Sequence, residues 1–182
     1  RNKLYKKYFP EAKKTKMIDW DFVDTCWEKE SREYQYVTAN YLKAMQSYLK
    51  DSDLPKLEQL VVTKSWWDTV DILDRVVGSL VYEKQELEKI ILQWSLSDNI
   101  WLRRVAIDHQ LLRKEKTNVQ LLEKILFHNL NQTEFFINKA IGWALRDYSK
   151  TNPAWVACFI EKNKERMAEL SIKEASKYLS HH

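Results

Sequence analysis

At 182 residues, with 45% hydrophobic and 31% charged side chains, the chain can bury a sizeable core and is too apolar to be disordered. Two glycines and three prolines are too few for an all-β fold with many special turns, and eight tryptophans make aromatic placement worth following. The net charge of +4 permits a nucleic-acid partner without demonstrating one, and no apolar run approaches the roughly 20 residues of a membrane span.

Residues 1–182 read as a single domain. Cys26 and Cys158 stand alone with no CxxC spacing, so reduced thiols in the cytoplasm are expected. The chain opens on Arg1 rather than methionine, which leaves any leader unreadable, and His181 and His182 are either native or the remnant of an affinity tag.

In chain order, the lysines of the start (Lys3, Lys6, Lys7, Lys13, Lys14, Lys16) read as a solvated terminus, with phosphate contact as the sharper alternative. A first helix is expected from about Asp19 to Glu30, and a second from Arg32 to Leu49 with Ser31 as its cap. Asp53 before Leu54-Pro55 suits a helix start with proline near the first helical position. Ser65 and Asp68 then resemble a capping arrangement. In that next helix Trp66, Val70, Leu73, Val77 and Leu80 form the apolar stripe, whereas Trp67, Asp71, Asp74 and Gly78 fall off it. Trp67 lies one turn before Asp71, so indole and carboxylate share a face. A large aromatic off the core stripe beside an acid suggests a surface built to receive something.

Later helix starts are expected near Asp98, Thr117 and Thr133. The stretch from Asn99 to Ile107 is apolar nearly all round, as for a helix packed on both sides. Arg104 falls among Ile100, Ile107 and Leu111, where a guanidinium must snorkel out or find a carboxylate or a phosphate. Arg103 is expected to point outward. The helix from Glu134 to Ser149 buries Ile137, Ala140, Ile141, Ala144 and Tyr148, while Phe136, Lys139, Trp143 and Arg146 form a second stripe. Aromatic and cationic residues alternating on one face suit a nucleic-acid backbone; the bland alternative has Trp143 plugging a neighbouring helix beside two solvated cations. Asn152-Pro153 is a stop and restart, and Ser171 with Glu174 makes a capping box.

No segment alternates with period two, so the chain is all-α. Helix starts near 66, 99 and 134 lie 33 and 35 residues apart, which fits helix-pair repeats of the HEAT or armadillo kind stacked into a solenoid. A compact bundle is the alternative. In a solenoid, equivalent faces line one concave groove, where Trp67, Asp71, Arg104 and Trp143 are expected to converge. His109 and His128 lack partners at metal-ligand spacing, and there is no phosphate-binding glycine loop or GxSxG.

Three blocks, in order and at sensible spacing, resemble the signature segments of the AlkD family of DNA alkylation repair glycosylases built from HEAT-like repeats. They are Lys64-Ser65-Trp66-Trp67-Asp68-Thr69-Val70-Asp71, Trp101-Leu102-Arg103-Arg104-Val105-Ala106-Ile107, and Glu134-Phe135-Phe136-Ile137-Asn138-Lys139-Ala140-Ile141-Gly142-Trp143-Ala144-Leu145-Arg146-Asp147-Tyr148. The resemblance runs from about Trp27 to the closing Ser171-Ile172-Lys173-Glu174-Ala175. It implies a solenoid with a concave DNA-binding groove, and the family's N-terminal helices fall before the point where this chain begins.

By resemblance Asp71 is the catalytic carboxylate and Trp67 and Trp143 frame the deoxyribose of the lesion, with Arg104, Lys139, Arg146, Arg103 and Trp66 as DNA contacts. The implied reaction is monofunctional hydrolysis of the N-glycosidic bond of purines alkylated at N3 or N7, with the lesion left in the stack. The implied partner is alkylated duplex DNA, bound by a cytoplasmic monomer without metal, small-molecule cofactor or membrane. The chemistry is consistent with the residues. A departing cationic purine leaves an oxocarbenium-like sugar, which a fixed carboxylate stabilises and indole faces shield from water. Two other readings predict different behaviour: a non-catalytic module for damaged or branched DNA, and a protein-interaction scaffold.

Overall fold

The computed structural model describes residues 3–179, with side chains from Tyr5 onward; His181 and His182 lie outside the described residues. Among the described residues there is no β-strand, and the chain separates into two compact units, Arg1–Leu87 and Glu88–His182.

The first unit contains α1 (Lys3–Lys6), α2 (Phe9–Lys14), α3 (Trp20–Glu28), α4 (Arg32–Ala44), α5 (Leu54–Val62) and α6 (Trp67–Glu83). Helix α3 starts where Asp19 accepts a hydrogen bond from the Phe22 amide at 3.0 Å. Ser31 occupies the position before α4 but makes no side-chain cap bond, and α4 ends at Ala44, with a single 3-10 turn at Gln46–Tyr48 in place of the expected helix to Leu49. Helix α6 packs on α4 and α5 around Leu42, Val61, Leu73 and Val77. Val76, Val81, Asp74 and Gly78 are buried as well, so α6 is covered on more than its expected stripe. The anticipated open face therefore ends beyond Asp71, and Asp74 and Gly78 do not belong to it.

The second unit contains α7 (Glu88–Trp94), α8 (Ile100–Asp108), α9 (Val119–His128), α10 (Phe135–Ser149), α11 (Pro153–Asn163) and α12 (Glu169–Ala175). Starts fall two residues after those expected, because the caps are Asn99, Asn118 and Glu134. The Asn152-Pro153 restart stands, with Asn152 accepting from the Trp155 amide at 3.1 Å. Helices α6, α8 and α10 begin 33 and 35 residues apart. Helix α10 packs against α8, α11 and α12, and its five expected core residues are all buried.

A polar group ties α7, α8 and α9 together. Fully buried Asn129 donates to the carbonyls of Ser95 (3.1 Å) and Ile125 (2.9 Å) and accepts from Arg103 Nε at 2.9 Å. Arg103 is thus half-buried and turned into the fold rather than outward as expected.

Candidate functional site

In the first unit the decisive segment is the entry to α6. Lys64 takes a left-handed conformation (φ 50°), and its ammonium donates to the carbonyls of Trp27 (2.5 Å) and Lys29 (2.8 Å), which fixes the turn. Arg32 on α4 spans the next step. It forks onto the Asp68 carboxylate, donates to the Lys64 carbonyl at 2.5 Å, and reaches Thr69 Oγ1 at 3.0 Å. The Tyr36 hydroxyl donates to the same carboxylate. Burial pushes the Asp68 carboxyl up, but the bonds from Arg32 and Tyr36 outweigh it and hold it below the ordinary aspartate range.

Asp68 is therefore an anchor and not half of a capping box, and Ser65 does not cap α6, because its hydroxyl donates to the Val61 carbonyl at 2.5 Å. Trp66 also departs from expectation. Its extended backbone (φ −157°, ψ 161°) precedes the first helical residue and takes its ring off the helical stripe, leaving it 49% exposed instead of buried. Trp67 is equally open at 49%, and Asp71, one turn on, is half-buried. This clamped turn thus carries an exposed indole and a half-buried carboxylate one helical turn apart.

In the second unit Arg104 is 2% exposed. Its Nη1 donates to the Phe136 carbonyl at 2.7 Å, and its guanidinium carbon lies 5.1 Å from the Trp143 ring centre and 5.7 Å from that of Phe136. A backbone carbonyl and two rings receive the buried charge, so the side chain does not snorkel. The expected stripe of Phe136, Lys139, Trp143 and Arg146 is present as a half-buried strip of α10. Its two cations are not solvated: Lys139 Nζ meets Glu174 Oε1 at 2.8 Å, and Arg146 Nη1 meets Glu174 Oε2 at 2.9 Å. The Lys139 hydrogen bond, ahead of the opposing effect of burial and aided by the Arg146 charge, lowers the Glu174 pKa.

Glu174 was expected in a capping box with Ser171. Instead α12 begins at Glu169, Ser171 sits inside it, and the Ser171 hydroxyl donates to the Asn138 carbonyl at 2.8 Å. Sequence reading missed Arg32, Tyr36 and Glu174 as partners of the site residues. One signal was available for the last. Gly142 stands mid-helix where a Cβ would come within 2.6 Å of Glu174 Cβ, the mark of a close helix approach. Among the described residues no group of His, Cys, Asp and Glu is placed to hold a metal, and no helix is long and apolar enough to cross a membrane.

The family model described as "DNA alkylation repair enzyme" matches residues 1–179. The chain belongs to that family. Among solved structures, a predicted DNA alkylation repair enzyme from Enterococcus faecalis is 36% identical over 89% of this chain and 76% of its own, with a TM-score of 0.83. The crystal structure of AlkD2 from Streptococcus mutans is 17% identical, covers 97% of this chain and 91% of its own, and has a TM-score of 0.74, which speaks to the helical-repeat fold alone. No curated protein matches the chain. For a DNA alkylation repair enzyme the substrate is DNA. Of the residues expected to meet it, the first unit holds Trp66, Trp67 and Asp71, and the second holds Arg103, Arg104, Lys139, Trp143 and Arg146.

Proposed function

We propose that this DNA alkylation repair enzyme is a monofunctional glycosylase that hydrolyses the N-glycosidic bond of purines alkylated at N3 or N7 in duplex DNA. The observation that carries the reading is the pair Trp67 and Asp71. Trp67 is half exposed and Asp71, one turn on, keeps part of its surface accessible on a helix otherwise largely buried, and a charged network fixes the turn that bears them.

An alkylated purine already carries positive charge and leaves without a general acid. The barrier lies in the sugar, which becomes cationic at C1′ as the bond stretches. Asp71 stabilises that charge and orients the attacking water, and the Trp67 face beside it shields the deoxyribose from bulk solvent. Arg104, bonded to the Phe136 carbonyl beneath the Trp143 ring, holds that ring in place and adds positive potential toward the DNA backbone. Lys139, Arg146 and Trp66 complete the DNA-facing set; Arg103, held by Asn129 inside the fold, is not part of it. With the sugar approached directly, the lesion stays in the stack and no extrusion pocket is required. The enzyme acts as a cytoplasmic monomer without metal or cofactor.

The test is release of free methylpurine from alkylated duplex by chromatography, alongside duplex affinity. Asp71→Asn is expected to slow release by roughly 10²–10³-fold, the scale for one preorganised electrostatic group, with affinity little changed. Wild-type protein that binds the duplex yet frees no methylpurine would refute the glycosylase reading and leave a DNA-binding module.

A further inference from the structure

Lys139 and Arg146 belong to the proposed DNA-facing set, and any finer role for them toward DNA rests on that assignment. The two side chains sit seven positions apart on α10, about 10.5 Å along the axis, too far to meet a common partner without converging on it. Glu174 makes them converge. Each carboxylate oxygen takes one cation, at 2.8 and 2.9 Å, with the three side chains 21–29% exposed. Its seat is set by the close packing of α12 on α10, where a Cβ at position 142 would come within 2.6 Å of Glu174 Cβ. A phosphodiester offers two non-bridging anionic oxygens to the same two donors, in place of the two oxygens of the carboxylate.

We propose that Lys139 and Arg146 form one phosphate seat, occupied in the free protein by Glu174 as an internal competitor that a DNA phosphodiester must displace. Two cations facing one carboxylate present a single net charge, so any duplex is held more weakly at this point than the two cations alone would hold it. Undamaged DNA is the main loser, because it gains nothing at the lesion site to offset the displacement.

The experiment is fluorescence anisotropy with a labelled undamaged duplex between about 50 and 200 mM salt, where phosphate contacts dominate affinity. Glu174→Gln is expected to tighten binding roughly 3- to 10-fold at the low-salt end, the scale of two partly exposed ion pairs, and to steepen the salt slope by about one. Glu161→Gln removes an equal charge from an exposed pair with Lys164 on the same unit and should change neither quantity. Adding Lys139→Gln and Arg146→Gln to Glu174→Gln should abolish the gain. Weaker or unchanged binding by Glu174→Gln, an equal gain from Glu161→Gln, or no duplex binding by any form overturns the proposal. If base release fails while Glu174→Gln still tightens binding, the glycosylase reading falls alone. If release is normal and the salt slope stays flat, the competitor falls alone.

Discussion

Replacing Arg32 with methionine removes the charge that clamps the entry to α6 while keeping most of the side-chain volume. The lost contacts are the fork onto Asp68, the bond to the Lys64 carbonyl at 2.5 Å and the bond to Thr69 Oγ1 at 3.0 Å. With side chains 30% and 16% exposed, the pair lies between a surface ion pair, worth at most about 1 kcal/mol, and a buried one, whose breaking costs about 3–5 kcal/mol. A loss of about 2 kcal/mol is expected, or a Tm lower by roughly 4–8 °C for a chain of this size. The pH dependence carries the sharper signature. Asp68 has its folded pKa depressed, so its contribution is present above its unfolded pKa of about 4 and is lost as pH falls through the lower folded value. Thermal unfolding monitored by circular dichroism should therefore show the gap between wild type and Arg32→Met narrowing below about pH 4. Equal melting at neutral pH, or a gap that persists in acid, would refute the clamp.

Asn99→Ala strips the cap from the amides of Trp101 and Leu102 and should cost about 1 kcal/mol, a Tm drop of roughly 2–4 °C; an unchanged melt contradicts that role. Trp67→Ala removes a ring already half in solvent, so stability should move by no more than about 1 kcal/mol while methylpurine release falls at least roughly tenfold. Normal release by that variant would exclude a role for the indole in the chemistry. Gly142→Ala should destabilise by about 1–3 kcal/mol in urea unfolding, because the new methyl meets Glu174 Cβ at 2.6 Å; neutrality would mean that α12 yields freely.

What the sequence revealed is what one helix can reveal about itself. Periodicity located both stripes of α10, and the Asn152-Pro153 pair marked the restart before α11, since each depends on residues a few positions apart. The errors share a different cause. Asp68 and Glu174 both sat where local rules read a cap, and in the fold both carboxylates were taken by cations 28 to 36 residues away. Arg103 read as a solvent-facing charge, yet Asn129, 26 positions on, receives it inside the fold. Asp74 and Gly78 lay off the stripe of α6 because a single helical wheel does not count how many neighbours surround it. Side-chain partners at such separations have no signature in local pattern, and these same partners hold the candidate site residues in place.

Asn129 has a consequence for how such repeats can be exchanged. Greasy helix faces stacked in series tolerate sliding, and a slip of one turn, about 5.4 Å, exchanges one set of aliphatic contacts for another of similar worth. The amide of Asn129 meets the Ser95 carbonyl and the Arg103 guanidinium at a single offset, so a slip strands buried donors and acceptors at about 1–3 kcal/mol apiece. A graft of α8 and α9 into another scaffold must therefore carry Asn129 and Arg103 as a matched lock, or it will sample several alignments instead of one.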